Sequence, residues 1–266
     1  MATARRDPRR RATAGAFPGF AAIAPDGAGM PLFRAVKRAL VQAIESGAVA
    51  PGDALPSESE LALAFGVSIG TLRRAVDDLV NDHVLVRRQG RGTFVATHTR
   101  ARFLFQFFHV ERSDGLLEAP EVELLGFERV RLDDEAASAL GVAAGDAALQ
   151  IENRLKLQGR AVVYDRLLLP QGLFRGLTEK RLRERPSTLY HLYQIDFGIT
   201  VVHAVERLRA VAADRGAARI LGVAAGLPVL QVRRRAIALG GQAVEYRVST
   251  VLTGAYEYVS LLSRDS

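Results

Sequence analysis

The sequence predicts an α+β protein with two domains, and three observations predict this class. Helical periodicity dominates residues 31–80, alternating apolar residues dominate residues 103–252, and the length of 266 residues allows two separate cores. We place the boundaries as follows: a disordered basic tail at 1–29, a first domain at 30–96, a linker at 97–104 and a second domain at 105–266.

The charge of the chain is positive and unevenly distributed. Lys and Arg number 36 against 29 Asp and Glu, which gives a net charge of +7. Residues 1–100 carry fourteen basic and nine acidic side chains, so most of the excess lies in the first part. This surplus favours polyanionic partners such as nucleic acids. The tail is rich in Ala, Gly, Pro and Arg, and either stays solvated or acts as a basic arm that adds phosphate contacts.

The first domain begins with three predicted helices. Apolar residues at four-residue spacing predict a helix that starts at Pro31 and ends at Gly47. Ser57 and Glu60 form a capping box that opens the second helix. Ser68 caps the third. The apolar stripe of the third helix consists of Leu72, Ala75, Val76 and Leu79.

A hairpin follows these helices. Residues 84–88 and 93–95 are predicted strands, and the glycine-containing segment 89–92 is the tight turn between them. The order of three helices and a hairpin is that of a winged helix-turn-helix, in which the third helix enters the major groove of DNA.

The third helix and the hairpin carry the residues suited to DNA. Gly70 allows close approach of the backbone, while Thr71 and Arg73 can reach phosphates or base edges. Arg74 points outward as well, and a solvated helix face is the alternative interpretation of both arginines. The hairpin adds a basic and polar cluster of Arg87, Arg88, Gln89 and Arg91. This clustering favours the DNA interface, with Arg91 able to enter a minor groove.

The second domain shows strand-like alternation with short helices between the strands. Alternating runs occupy residues 103–110, 122–132, 148–157, 161–169, 199–211, 228–239 and 243–252. Helical patterns follow Asp133, Thr178 and Ala213, and another covers residues 188–194. These elements predict a mostly antiparallel sheet with helices.

The second domain also contains an internal repeat. Residues 140–145 recur as residues 221–226, and each copy is followed by a strand and a glycine-centred hairpin. A chance match in an Ala/Gly-rich sequence is the alternative, but the preserved order favours duplication. Two such copies could pair about a pseudo-twofold axis.

The first domain resembles the GntR family of transcription regulators. The resemblance is carried, in order, by PSESEL at 56–61, FGVS at 65–68, TLRRA at 71–75 and RRQGRGTFV at 87–95. It implies DNA contacts from Ser59, Ser68, Ile69, Gly70, Thr71, Arg73, Gln89, Gly90 and Arg91. Many members have Arg at the positions of Ser59 and Ile69, so we expect an operator that differs from the commonest family sequence.

The second domain resembles the HutC-type effector domain, named UTRA, whose fold is related to chorismate lyase. The resemblance is carried by segments 154–156, 164–170, 188–190, 198–199, 221–223 and 243–246. It implies a ligand cradle in which Arg154 and Lys156 supply positive charge, Thr188 and Tyr190 supply hydroxyl groups, and Asp165 and Glu245 supply carboxylates. Such a cradle fits an anionic ligand with hydrogen-bond donors, for example a phosphorylated sugar or a carboxylate metabolite.

An alternative interpretation exists for this cradle. Charged residues on a strand face often form surface ion pairs, which applies to Arg154, Lys156 and Asp165. Leu167 and Val251 also occupy positions where related sensors place polar or aromatic contacts.

Together these patterns predict a ligand-responsive transcription regulator. We expect a cytoplasmic homodimer that represses from a palindromic DNA operator and is released by a small-molecule effector. A passive architectural DNA binder would not account for the second domain.

An enzyme is the other class considered. The five histidines are scattered at positions 83, 98, 109, 191 and 203, and there is no cysteine. No nucleophile elbow, phosphate loop or dinucleotide fingerprint occurs, so we expect no catalytic residue, metal or cofactor. No apolar run approaches the roughly 18 residues that cross a membrane, so we expect no membrane partner.

Overall fold

The structure is a computed structural model of the chain, and it describes residues 20–23, 30–116, 118–185 and 187–260. The chain divides between Ala96 and Thr97 into two compact units. In the described part of the chain, no helix is both long and apolar enough to cross a bilayer.

The first unit contains three helices and a hairpin, as the sequence predicts. The elements are α1 (Leu32–Glu45), α2 (Glu58–Phe65), α3 (Ile69–Asn81), β1 (Leu85–Arg88) and β2 (Gly92–Val95). Pro31 is the N-terminal cap residue of α1, one position before the place expected for it. The core is formed by apolar side chains that include Val36, Leu40, Leu61, Phe65, Leu72, Val76, Leu79, Val84 and Val95.

A short segment of the predicted tail packs onto this unit. Phe20 is only 7% exposed, and its ring meets Phe65 edge-on at a centroid distance of 5.5 Å. The backbone N–H of Ile23 donates to the carbonyl of Phe65 at 3.0 Å. Phe65 is the last residue of α2, and the last carbonyl groups of a helix have no partner within the helix. The structure therefore differs from the expected disorder at residues 20–23, while residues 1–19 and 24–29 of the predicted tail lie outside the described residues.

The second unit is built on a six-stranded antiparallel sheet. Its strands are β4 (Glu121–Arg131), β5 (Ala147–Leu157), β6 (Arg160–Pro170), β7 (Val201–Ala212), β8 (Pro228–Ala238) and β9 (Ala243–Val251). They lie side by side in the order β4-β5-β6-β9-β8-β7. The helices are α4 (Arg100–Gln106), α5 (Asp134–Leu140), α6 (Glu179–Glu184), α7 (Leu189–Phe197) and α8 (Arg215–Leu221). The α+β class with a mostly antiparallel sheet is thus confirmed.

The two copies of the internal repeat occupy equivalent places in the sheet. One copy supplies β4, α5, β5 and β6, and the other supplies β7, α8, β8 and β9. Their last strands, β6 and β9, pair antiparallel at the centre, while α5 packs on β9 and α8 packs on β6. Asp133 and Asp214 cap the two helices in the same way. The arrangement has the pseudo-twofold pairing that duplication predicts.

One predicted strand of this unit is wrong. The alternation predicts an extended segment over residues 103–110, but α4 covers Arg100–Gln106 and begins inside the expected linker. Arg102 Nε donates to Gln106 Oε1 at 2.9 Å across one helical turn, and Gln106 Nε2 donates to the carbonyl of Val202 at 3.0 Å. This long-range contact holds α4 onto the sheet. The local alternation of apolar residues, by contrast, favours a strand for the same segment. The chain then forms β3 (Val110–Arg112), which pairs with β10 (Tyr256–Tyr258) in a small second sheet.

Candidate nucleic-acid interface and candidate ligand cavity

The N-terminal turn of α3 is exposed and locally stabilised. Ser68 Oγ accepts the backbone N–H of Thr71 at 3.1 Å and lies 2.9 Å from Thr71 Oγ1. Ile69 is 42% exposed. An apolar side chain is therefore accessible at a position where many members of the GntR family, which the first unit resembles, have Arg. A Cβ on Gly70 would meet only Ser68 Oγ, at 3.9 Å. The fold therefore does not require glycine at this position, and the missing side chain leaves space on the outer surface.

Glu58, the first residue of α2, orients two arginines of this surface. Its carboxylate accepts from Arg73 Nε at 2.6 Å and lies 3.8 Å from Arg87, which also pairs with Asp77 at 2.6 Å. The hydrogen bond to Glu58 raises the pKa of Arg73. The Arg73 side chain remains 62% exposed, so it stays accessible while its direction is set. α2, α3 and β1 thus meet at Glu58.

Aromatic rings hold two further arginines. The guanidinium of Arg74 lies over the ring of Phe33 in α1, 4.0 Å from its centroid, and that of Arg88 lies 4.5 Å from the centroid of Phe94. Cation–π contact of this kind fixes a charged group against the protein. Arg74 is exposed as predicted, but its charged group is directed toward α1.

The hairpin tip presents the remaining predicted residues. Gly90 and Gly92 have φ angles of 68° and 103°, which favour glycine, and Arg91 N–H donates to the carbonyl of Arg88 at 2.9 Å to close the turn. Gln89 and Arg91 are exposed, and no ion pair holds the Arg91 side chain among the described residues. Ser59 is exposed beside Glu58 at the start of α2. Nine of the ten predicted positions are thus exposed, and Thr71 is half-buried.

The second unit contains a cavity of about 760 Å³. Its walls come from the start of β4, from β5, β6 and β9, from α4 and from the segment between α6 and α7. The polar and charged lining includes Arg100, Glu121, Glu123, Asn153, Asp165, Arg183, Arg185, Ser187, Thr188 and Arg247. Two of the six predicted effector residues, Asp165 and Thr188, are among them.

These two residues are held by local hydrogen bonds. Thr188 caps α7 by accepting the N–H of His191 at 3.2 Å, which places the N-terminus of that helix at the cavity. Asp165 is 2% exposed, accepts from Ser249 Oγ at 2.5 Å and lies 3.3 Å from Arg247 Nη1. Both residues line the cavity, and their contact with an effector stays a prediction.

Glu245 and Tyr190 support the cavity floor and do not line the cavity. Glu245 is fully buried and accepts from Tyr190 at 3.2 Å, from Tyr193 at 2.8 Å and from Arg247 Nε at 2.9 Å. Burial raises the pKa of Tyr190 to about 12. Burial lowers the pKa of Arg247, but Glu245 and Asp165 raise it, and the net shift is upward. Arg247 is therefore a permanent cation between two buried carboxylates.

Arg154 and Lys156 form surface ion pairs and are absent from the cavity lining. Arg154 donates to both carboxylate oxygens of Glu123 at 2.8 Å, and Lys156 Nζ lies 2.9 Å from Glu123. Side chains alternate along β5, and Asn153 and Leu155 take the cavity side instead. Both residues therefore form the ion pairs that the alternative interpretation expects, and their contact with an effector stays a prediction.

Several lining residues were missed from the sequence. Asn153 is 5% exposed, and its Oδ1 has no hydrogen-bond partner within the described part of the chain. Arg185 is half-buried, and burial lowers its pKa. Arg183 pairs with Glu179 at 2.6 Å. A sequence pattern could have identified Arg183 and Arg185, because they lie directly before the capped N-terminus of α7. The N-terminus of a helix is a common anion-binding site.

Two family profiles match the chain. The profile described as "Bacterial regulatory proteins, gntR family" matches residues 32–95, and the one described as "UTRA domain" matches residues 117–257. Together they cover the three helices and hairpin of the first unit and, in the second, the six-stranded sheet and the helices α5 to α8.

Curated relatives and a solved structure agree with these profiles. The HTH-type transcriptional repressor NagR of Bacillus subtilis is 28% identical, over 88% of this chain and 96% of its own length. A histidine utilization repressor of Pseudomonas aeruginosa is 32% identical, over 77% of this chain and 81% of its own. A ligand-binding domain assigned to the GntR family, from Bordetella bronchiseptica, is 35% identical with a TM-score of 0.55, over 58% of this chain and 96% of its own.

Proposed function

Because the chain belongs to the GntR family of bacterial regulatory proteins and carries a UTRA domain, we propose that it represses transcription as a homodimer that an anionic small molecule releases from a palindromic operator. The chain is a ligand-responsive DNA-binding regulator, and it is not an enzyme. The observation that supports release by an anionic small molecule is the polar cavity of about 760 Å³ in the second unit.

The first unit supports binding to duplex DNA. The start of α3 and the hairpin tip present exposed residues, and Arg73 and Arg91 offer positive charge to phosphates or guanine edges. One recognition helix reads only a few base pairs, so useful specificity requires a twofold dimer on two half-sites. Both the operator and a metabolic effector are found in the cytoplasm, which is the compartment we propose.

The cavity supports an anionic ligand that also donates hydrogen bonds. Arg100, Arg183 and Arg185 bring positive charge to it, and the N-terminus of α7 favours an anion. Asp165 can accept from hydroxyl or amino groups, and so can Oδ1 of Asn153, which has no partner among the described residues. A phosphorylated sugar or a carboxylate metabolite has this combination. Such a ligand lowers operator occupancy if it binds more tightly to the DNA-incompetent state.

The first prediction concerns ligand release. A thermal-shift screen of phosphorylated sugars and carboxylate metabolites is expected to find a compound that stabilises the protein by roughly 2.7 kcal/mol at a hundred times its dissociation constant. The same compound should release a duplex that the protein has selected from random sequences. Arg185→Ala should weaken both effects, whereas Arg160→Ala, at the exposed start of β6, should change neither. Turnover of the compound, or failure to retain any duplex selectively, would contradict the proposal.

The second prediction concerns the hairpin tip. Arg91→Ala is expected to weaken operator binding several-fold and to reduce the slope of log affinity against log salt by about 0.9, because one phosphate contact is lost. The measurement is a fluorescence titration at several salt concentrations. Arg160→Ala is a matched control, because it also follows Gln-Gly in an exposed hairpin turn. An unchanged slope would remove Arg91 from the phosphate contacts.

A further inference from the structure

The second unit begins with a histidine that is docked into its interior. His98 is 1% exposed, and its ring packs against Tyr190 and Phe107 at centroid distances of 5.9 and 6.1 Å. Its backbone N–H donates to Gln194 Oε1 at 3.0 Å, and Gln194 Nε2 donates to Thr200 Oγ1 at 3.2 Å. Side chains of α7 therefore hold the first residues of the unit, together with the Phe107 ring and the backbone of Val201.

The same helix reaches the cavity. Thr188 caps α7 and lines the cavity, and Tyr190 and Gln194, which hold His98, follow within two turns. Tyr190 also donates to Glu245, which pairs with the cavity residue Arg247. A nine-residue helix shifts as one piece, so a displacement at its first turn also displaces the groups that hold His98.

The docked arrangement leaves several buried polar atoms unsatisfied. Nε2 of His98, both terminal nitrogens of Arg102 and Nδ1 of His191 have no hydrogen-bond partner among the described residues. Burial, together with Arg102 of α4 and His191 of α7, lowers the pKa of His98 to about 3, so the ring is neutral near pH 7. Buried polar atoms without partners oppose docking, because they would be hydrated after release. Apolar packing favours docking, and a small change in α7 can alter this balance.

We propose that His98 is a positioning residue that couples occupancy of the cavity to the segment leading into the DNA-binding unit. The inference rests on the proposed function. Ligand contact at the first turn of α7 moves Tyr190 and Gln194, which changes the docking of His98. Residues 97–99 are covalently continuous with the hairpin unit, so their release or retention alters the freedom of that unit on the operator.

The test uses the reciprocity of linked binding equilibria and needs no known effector. If His98 couples the two sites, operator DNA must change α7 just as the ligand changes operator affinity. Hydrogen–deuterium exchange is measured on peptides covering residues 187–197, with and without a saturating duplex that the full-length protein has selected from random sequences. We expect the duplex to change the exchange rate of α7 several-fold in the unaltered protein.

Three variants give this measurement its specificity. His98→Ala should abolish the DNA-dependent change in α7 exchange at saturating DNA, and His98→Phe should retain much of it because the ring packing survives. His203→Ala removes an exposed histidine of β7 and should leave the change intact. If His98→Ala does not fold, Gln194→Met tests the same contact, because it removes the acceptor of the His98 N–H while keeping the side-chain length.

The outcomes separate this inference from the proposed function. Selective retention of DNA with no change in α7 exchange would overturn the role of His98 and leave repression standing. An undiminished change in His98→Ala, or in Gln194→Met where that variant is used, would overturn it as well. Absence of any selective DNA retention would instead refute the proposed function on which the inference depends.

Discussion

Replacing Arg247 by alanine is expected to lower the free energy of unfolding of the second unit by about 3–5 kcal/mol. The guanidinium lies 2.9 Å from Glu245 and 3.3 Å from Asp165, and all three side chains are at most 8% exposed. The substitution leaves two carboxylates buried without their cation. It also removes a packed side chain beside Tyr190, over whose ring the guanidinium lies at 5.8 Å.

Urea unfolding followed by circular dichroism measures this loss. Arg235→Ala is the matched control, because Arg235 is an exposed arginine on β8 next to the buried Arg234, and its removal should cost about 0.5 kcal/mol or less. Replacing Arg247 by Met together with Glu245→Gln and Asp165→Asn should recover part of the loss, since no buried charge then remains unpaired. A loss below about 1 kcal/mol for Arg247→Ala would show that solvent reaches the two carboxylates.

The first unit could be predicted closely because its signals are local. Ser57 and Glu60 form the expected capping box, and Ser68 caps α3 as expected. The glycine-containing turn likewise sets the register of the hairpin, in which Arg88 pairs with Gly92. Each of these features depends on residues within a few positions of one another, so the sequence alone contains the necessary information.

The cavity was predicted only in part, because strand faces depend on a period of two. The sequence analysis places Arg154 of β5 in the ligand cradle, whereas in the structure its neighbour Asn153 lines the cavity, and a shift of one residue exchanges the two sides of a strand. The same strand period could have identified Arg247, since it lies two residues after Glu245 on β9. The helix α4 could not be predicted in this way, because its contact with Val202 joins residues far apart in the sequence.

The internal repeat explains why the buried charges meet at the centre of the sheet. Tyr164-Asp165 in β6 and Tyr246-Arg247 in β9 occupy equivalent positions of the two copies, on strands that pair antiparallel. Arg166 of β6 faces its own equivalent, Val248 of β9, in the register. Asp165 and Arg247 are each one position away from this pair, so they are diagonal neighbours. In this chain these two equivalents carry opposite charges and form the ion pair. The repeat predicts the juxtaposition, but only the structure shows that both side chains are buried.

Replacing Arg73 by alanine is expected to weaken binding of the selected operator about 10- to 100-fold, the range for a lost bidentate contact to guanine. The thermal midpoint should stay nearly unchanged, because the pair with Glu58 is exposed and such pairs add little stability. Arg219→Ala, on the exposed side of α8, removes the same charge from a helix and should leave affinity unaltered.

Competition with random-sequence DNA then distinguishes a base contact from a phosphate contact. Loss of a base contact lowers operator affinity more than affinity for random duplexes, whereas loss of a phosphate contact lowers both to a similar extent. Glu58→Gln provides a second comparison, because it keeps Arg73 but removes the carboxylate that orients it at 2.6 Å. If Arg73 must be held in that direction to read a base, Glu58→Gln should reduce discrimination while strengthening salt-sensitive binding to any duplex. If the Arg73→Ala variant binds the operator as tightly and as selectively as the unaltered protein does, Arg73 is not part of the DNA interface.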